Sequence, residues 1–229
     1  NVDGQVMPIA ELGRLATKFG MLFIVDAAQA AGSGQIDMAA DGINLLCIPG
    51  HKGLYGPTGS GALLIRDKTP LRSLIEGGTG SDSMLKKQPT LLPEALESGT
   101  LPVSAIIGLG EGVRFVNELG AANIGEHERQ LRKELADKTE GLPNLKIYEP
   151  TRSSGIFLFN IDGKCCERTA AEIEKEDIAV RAGLHCAPSA HEVLGTLPDG
   201  AVRISFGIFN DREQVDRAAA ALRKVSKSV

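Results

Sequence analysis

Two residues of opposite charge occupy equivalent places in the sequence. Lys52 lies in PGHKGLYGPTGSGALL, a glycine- and proline-rich turn that follows the apolar run INLLCIP. Asp26 closes the apolar run MLFIVD, and Gln29 follows it by one turn in DAAQAAG. Open α/β sheets bind ligands beyond the carboxyl ends of their strands, so an amine and a carboxylate that each follow a buried strand can converge at one sheet edge. Such a pair has a specific use. A lysine in a dry pocket loses proton affinity and forms a Schiff base with an aldehyde, and a carboxylate holds a pyridine nitrogen protonated. Those are the two protein groups that pyridoxal 5′-phosphate (PLP) requires. Taken singly, neither residue is diagnostic: most lysines are solvated, and aspartate commonly caps the segment that follows it. The turn is not a phosphate loop of the GxxxxGK[ST] type.

Cys186, in VRAGLHCAP, is a third candidate. Free cysteine usually behaves as a small buried hydrophobe, which suits Cys47 within NLLCIP; Cys165 and Cys166 stand at a turn before a helix. Cys186 lies outside any apolar run and next to His185, where an imidazolium or an open helix N-terminus would favour the thiolate. Arg203, on VRISFG, reads by itself as a surface ion-pair partner, and Arg181 as structural. His191 reads as helical and surface-facing; neither it nor His127, on a charged helix, is given a role.

These residues need elements to hold them. Pro8 opens a helix whose Leu12, Leu15 and Phe19 recur at helical spacing before Gly20 stops it. MLFIVD, INLLCIP and GALLIRD read as strands, the first two as continuous apolar runs of the kind buried on both faces. DMAADG reads as a short helix. From Pro102 to Leu119 a helix places Val103, Ile106, Ile107, Val113 and Val116 on one face, and a charged helix runs from about Ala122 to Glu140. LKIYE, GIFLFNI, IAVRAG and AVRISFG then read as strands, with helices near Glu167–Lys175 and Glu213–Val225. The last helix carries the stripe Val215, Ala218, Ala219, Leu222 and Val225. Strands alternating with helices predict an α/β fold.

The bulk properties remove several function classes. Across 229 residues the net charge is −4, which leaves no electrostatic footprint for nucleic acid or an anionic membrane. No apolar run is long enough to span a bilayer. Four irregularly spaced cysteines without a C-x-x-C pair argue against a disulfide framework and against zinc, so no metal is expected and a reducing cytoplasm suits the chain.

VDAAQAAG and PGHKGLYGPTGSGALL together resemble the class V aminotransferase family of fold-type I PLP enzymes, most closely its cysteine desulfurase and selenocysteine lyase branch. The likeness runs over essentially the whole chain. NVDGQVMPI is similar to the family's Asn-Val-x-Gly segment, GGTGSDS and LESGTLP to its later loops, VRAGLHCAP to the branch's cysteine loop and VRISFGIFN to its substrate-arginine strand. The resemblance implies the C-terminal part of a PLP-binding large domain with a mainly parallel sheet over residues 1–120, a smaller α+β domain over 121–229, and a homodimer. It also implies residue roles. Lys52 would hold PLP as a Schiff base, Asp26 would pair with the pyridinium nitrogen, Gln29 would bond O3′ and His51 the phosphate. Thr79 would reach the phosphate of the cofactor in the other subunit. Asn1 would lie near O3′ and the substrate carboxylate, and Arg203 would grip that carboxylate with its bidentate fork. Cys186 would accept sulfur. The implied reaction takes L-cysteine to L-alanine, with Lys52 as base on the α-proton and sulfur passing through a persulfide to an acceptor protein or thiol. The alternatives are an aminotransferase or selenocysteine lyase built on the same lysine, a non-catalytic truncated fragment, or an anion-binding protein. Pro49 replaces a serine found in many relatives. The family's phosphate-binding turn and ring-stacking histidine would lie upstream of Asn1, so the chain is expected to lack that N-terminal part.

Overall fold

The computed structural model of the chain describes residues 1–66, 69–81 and 84–228. Asp67, at the end of the expected third strand, and Asp82 and Ser83 of GGTGSDS lie outside the described residues. Backbone contacts divide the chain into two units. Ile9–Leu119 contains Lys52 and is called the lysine unit below; Gly120–Val229 together with Asn1–Pro8 contains Cys186 and is called the cysteine unit.

In the lysine unit the elements are α1 (Ile9–Lys18), β1 (Ile24–Asp26), β2 (Leu45–Pro49), β3 (Gly61–Ile65) and α2 (Val103–Leu119). β1 and β2 are parallel, with Asp26 in register with Cys47, and β3 runs antiparallel to β2. A core of Val25, Ala27, Ile43 and Leu46 covers part of the sheet. Burial on both faces, expected for the first two strands, holds at the start of β2, where the successive Leu45 and Leu46 are both buried, but not in β1, where Ile24 is 55% exposed against 7% for Val25. An unbroken apolar run permits cover on two faces but does not supply the covering element. The helices follow the same logic. Leu12 and Leu15 of α1, and Phe19 just past its end, are exposed, while Gly13 and Ala16 are buried. A Cβ at Gly13 would lie 1.7 Å from the carbonyl oxygen of Asp41, so α1 packs through its small-residue face. On α2, Val103, Ile106 and Ile107 are exposed and Gly112 and Val116 are buried. DMAADG forms a turn rather than a helix. Asp37 Oδ1 accepts from the Ala39 and Ala40 amides at 2.9 Å each, and one capped turn is too short to propagate a helix.

The cysteine unit contains α3 (Ala121–Thr139), β4 (Leu145–Tyr148), β5 (Ile156–Ile161), α4 (Cys166–Glu174), β6 (Arg181–Gly183), α5 (Pro188–Leu194), β7 (Ala201–Ser205) and α6 (Arg212–Lys227). Its sheet is antiparallel throughout, in the order β4-β5-β7-β6. β5 shows why. Phe157, Phe159 and Ile161 alternate into a core shared with Leu131 and Leu135 of α3, Ile173 of α4 and Val215, Ala219 and Leu222 of α6. Leu158 faces the other way, with Val2 and Ala201. Each fully buried aromatic or branched side chain contributes about 1.5–3 kcal/mol. Asp211 starts α6 by accepting from the Gln214 amide, a cap worth about 1 kcal/mol. The first eight residues, placed with the large domain by the sequence, belong to this unit. Gln5 bridges Ser153, the Val6 amide donates to Arg152 at 2.8 Å, and the Ser154 amide donates to Gly4 at 2.9 Å.

Candidate active site

Two clusters of candidate residues emerge, one in each unit. In the lysine unit, Asp26 ends β1 and the next amide, Ala27, donates 2.9 Å to Cys47 on β2. The chain then turns through Ala28–Gly32. β2 ends at Pro49 and enters the turn that holds His51 and Lys52, closed by Tyr55 N–H to the Lys52 carbonyl (2.9 Å) and Gly56 N–H to that of Gly50 (2.8 Å). The two turns abut. Gly32 has φ +99°, and a Cβ there would fall 1.8 Å from the Gly53 carbonyl oxygen; a Cβ on Gly53 would fall 2.4 Å from that of Ala31. Glycine at both positions is therefore what lets the Asp26 turn and the Lys52 turn close on each other, beyond the carboxyl ends of parallel strands.

Asp26 partly fills the capping role that its residue type suggests: one oxygen, Oδ1, accepts from the Ala28 amide at 2.9 Å. The carboxylate is exposed, and its second oxygen takes no bond from the described residues. The Lys52 amine and the His51 ring are also exposed, with no side-chain hydrogen bond or ion pair among the described residues. A dry pocket around Lys52 is thus not provided by the described residues. Gln29 is exposed; Thr79 is half-buried and shares a 2.7 Å hydrogen bond with Ser81. An unpaired amine, a carboxylate with an oxygen to spare and glycine backbone open to close approach are the set PLP calls for, and on that chemistry the residues fit it.

In the cysteine unit, β6 and β7 pair so that Arg181 stands opposite Arg203. Arg203 Nη1 donates to both the backbone oxygen (2.6 Å) and Oδ1 (2.7 Å) of Asn1. Asn1 Nδ2 in turn donates to the His185 carbonyl at 2.7 Å. Arg203 Nε is buried and unpartnered among the described residues, so half of the guanidinium fork is uncommitted. Burial, reinforced by Arg181, pulls Arg203 below the usual arginine range, and the nearby Cys186 sulfur opposes that shift. Two guanidinium groups directly opposite each other repel, and an anion held between them relieves the repulsion.

Cys186 is exposed. Leu184–Ala187 form a tight turn closed by a 2.9 Å hydrogen bond from the Ala187 amide to the Leu184 carbonyl. Its central residues, His185 (φ 50°) and Cys186 (φ 60°), are both left-handed, the signature of a type I′ turn. That conformation costs about 1–2 kcal/mol for each non-glycine residue. The imidazolium suggested beside the Cys186 thiol is absent: the His185 ring is only 3% exposed, turns inward, and is held below the usual histidine range by burial. The other cysteines differ in kind. Cys47 is half-buried in β2, Cys165 is the exposed N-cap of α4, and Cys166 is buried, its Sγ 2.9 Å from the Asp199 carbonyl and its thiol pushed up to about 11 by burial.

Comparison with known proteins is consistent with this geometry. The family model described as aminotransferase class-V matches residues 1–218. The chain belongs to the aminotransferase class-V family. Among curated relatives of this family member, a probable cysteine desulfurase of Halalkalibacterium halodurans is 32% identical over 99% of the chain and 56% of the relative. One of Pyrococcus abyssi is 33% identical over 100% and 58%. Among solved structures, the apo cysteine desulfurase of Thermococcus onnurineus NA1 matches with a TM-score of 0.86 at 30% identity, covering 100% of this chain and 58% of that one. The chain thus spans less than two thirds of the length of these relatives, and its fold is that of fold-type I PLP enzymes. No helix among the described residues is long and apolar enough to cross a membrane.

Sequence reasoning about this class-V chain missed two residues. His191, read as surface-facing, is fully buried on α5. Thr196 bonds it and drew no attention in the sequence. An imidazole on a short helix between a cysteine turn and a strand has no periodicity to betray its direction.

Proposed function

We propose that the protein is a PLP-dependent cysteine desulfurase that takes L-cysteine to L-alanine and keeps the sulfur as a persulfide on Cys186. The observation that carries this reading is the Gly32–Gly53 contact, which closes the Asp26 turn on the Lys52 turn. Kinship with cysteine desulfurases supports it. In this reading Lys52, Asp26, Gln29, His51 and Asn1 hold PLP, with Thr79 reaching across a homodimer. The bound cofactor supplies an aldehyde for condensation with amines and a pyridinium ring that accepts electron density from the amino acid's α-carbon. Asp26 keeps the ring nitrogen protonated through its charge. Lys52 Nζ takes the α-proton of the substrate as general base. Arg203 grips the substrate carboxylate, with Asn1 fixing the guanidinium. Cys186 acts as thiolate: its Sγ bonds to the substrate sulfur as the Cβ–S bond breaks, the bonding pair stays with carbon, and protonation there yields alanine. Cysteine plus enzyme thiol gives alanine plus enzyme persulfide, with no outside oxidant or reductant. A thiol or an acceptor protein then removes the outer sulfur. All four cysteines are free, in keeping with the reducing cytoplasm that we propose as its location.

The test begins with the visible spectrum of the purified protein with PLP, before and after borohydride, and peptide mapping of the reduced adduct. The expected adduct is on Lys52, and Lys52→Ala abolishes the band. Absence of any band returns the chain to the non-catalytic reading. Cys186→Ala is expected to abolish persulfide and slow alanine formation about 10²–10⁴-fold while the band persists. Undiminished cysteine turnover in that variant would shift the assignment to a lyase or aminotransferase.

A further inference from the structure

His185 and His191 form a buried pair that the proposed sulfur chemistry does not use. His185 Nε2 lies 3.1 Å from the Arg181 carbonyl, His185 Nδ1 lies 3.1 Å from His191 Nε2, and His191 Nδ1 lies 2.7 Å from Thr196 Oγ1. The rings stack with centroids 5.2 Å apart at 19°.

The proton order along this row is fixed by elimination. A carbonyl only accepts, so His185 Nε2 carries the hydrogen. The neutral ring then presents Nδ1 as an acceptor, which His191 fills with Nε2–H. His191 Nδ1 is left as an acceptor, filled by the Thr196 hydroxyl. Each ring N–H in the row meets one acceptor, the Thr196 hydroxyl faces His191 Nδ1 at 2.7 Å and the His191 carbonyl at 3.3 Å, and the sense runs one way, from Thr196 to Arg181. The surroundings favour this neutral state. Burial lowers the proton affinity of both rings; on His185 the hydrogen bond to the Arg181 carbonyl opposes that, while the Arg203 guanidinium, His191 and the Arg181 guanidinium lower it further. Cys186 acts on Arg203 from the same turn.

We propose that His191, acting through His185, is a positioning residue that holds the turn carrying Cys186. The turn needs such a hold. Its two central positions are left-handed, a conformation that glycine and asparagine adopt readily, that histidine adopts less freely, and that cysteine resists. The closing Ala187–Leu184 hydrogen bond does not select that hand by itself. The His185 side chain does: it is drawn inward to Arg181 and His191, while its own carbonyl is tied to Asn1. With His185 anchored on the inside, Cys186 at the next position is left on the outside. The role in sulfur capture rests on the desulfurase reading; the hold on the turn does not.

The test uses hydrogen exchange at the Ala187 amide in the full protein, with kinetics alongside. His191→Leu removes the donor to His185 Nδ1 and is expected to speed that exchange about tenfold, equivalent to a turn preference of about 1.4 kcal/mol. His191→Gln, whose amide donates from a similar place, restores it to within about threefold. Thr196→Val, which keeps the volume and loses the hydroxyl, gives a smaller change of the same sign, reversed by Thr196→Ser. Exchange at Phe157–Ile161 stays unchanged. With L-cysteine, His191→Leu lowers kcat for alanine about tenfold and leaves KM alone. Unchanged Ala187 exchange in both His191→Leu and Thr196→Val would overturn the proposal. So would an equal rise at Phe157–Ile161, which marks a structural role only. If the parent protein makes no alanine, the desulfurase reading fails and the exchange arm still decides whether His191 holds the turn.

Discussion

Gly32→Ala tests the contact on which the proposed cofactor site depends. The new Cβ would lie 1.8 Å from the Gly53 carbonyl oxygen and 2.3 Å from its carbon, backbone atoms that cannot swing aside as a side chain does. Ordinary contact begins near 3.4 Å, so the two turns must part by about 1.6 Å. Two energies follow. A non-glycine residue at φ +99° stores about 1–3 kcal/mol, and overpacking adds about 1–3 kcal/mol. Against a total stability of about 5–15 kcal/mol, the variant folds. Its chemistry fares worse, because a displacement of about 1 Å between reacting groups costs about 10²-fold. The expected result is a folded protein whose PLP absorbance saturates weakly or not at all and whose Lys52 escapes borohydride trapping. Gly59→Ala is the matched control. It too has positive φ (+81°), but nothing lies within 4 Å of its Cβ, so it keeps cofactor binding and loses only a little stability. Parent-like PLP titration in Gly32→Ala, at equal sensitivity, would show that the turn contact does not hold the site.

Two further outcomes follow from the cysteine unit. Arg203→Lys keeps a cation but loses the planar fork and the paired bonds to Asn1, so kcat/KM for L-cysteine falls about 10–100-fold, the equivalent of one or two charged hydrogen bonds; an unchanged value would remove Arg203 from substrate binding. Acid weakens the fold through His185 and His191, which both sit below the ordinary histidine value when folded. Their stabilisation is complete above about pH 6.5 and is lost as pH falls through the folded values, with a slope of about 1.4 kcal/mol per pH unit for each proton taken up. The urea midpoint therefore drops between pH 7.5 and 5.5, and does so less in His191→Gln; a midpoint that held steady or rose with acid would contradict the buried neutral pair.

The cysteine unit was legible where periodicity and burial agree. The α6 stripe is buried throughout, and β5 alternates faces as GIFLFNI suggests. Both patterns are satisfied by partners within the unit. The lysine unit carries equally apolar runs, yet Ile24, Leu63, Leu64 and the first turns of α2 face outward. Hydropathy reports what a residue can tolerate, not which neighbour covers it, so it overstates burial where apolar surface exceeds the elements available to cover it. What organised this unit was small residues. Gly13, Gly32, Gly53 and Gly112 each sit where a Cβ would meet backbone, and a sequence shows glycine without showing what lies against it.

The two clusters differ in how much of their positioning falls to glycine, and that explains which of them the sequence disclosed. Around Lys52 most of the close approaches and turns are taken by glycine, with Tyr55 (φ 54°) the left-handed exception, so the motif is dense in glycine and visible as a pattern. Around Cys186 the backbone takes a shape that glycine would accept freely, yet histidine and cysteine occupy it, at about 1–2 kcal/mol each. A fold can maintain that strain only through contacts elsewhere, here the inward anchor of His185 on Arg181 and His191 and the tie from its carbonyl to Asn1. Those contacts join Asn1, Arg181, His185, His191 and Thr196 across distances in sequence that no helical or strand period links. Local preference is overruled at the turn that presents the exposed Cys186, and such a departure is expected where side-chain chemistry rather than chain economy selects the residues.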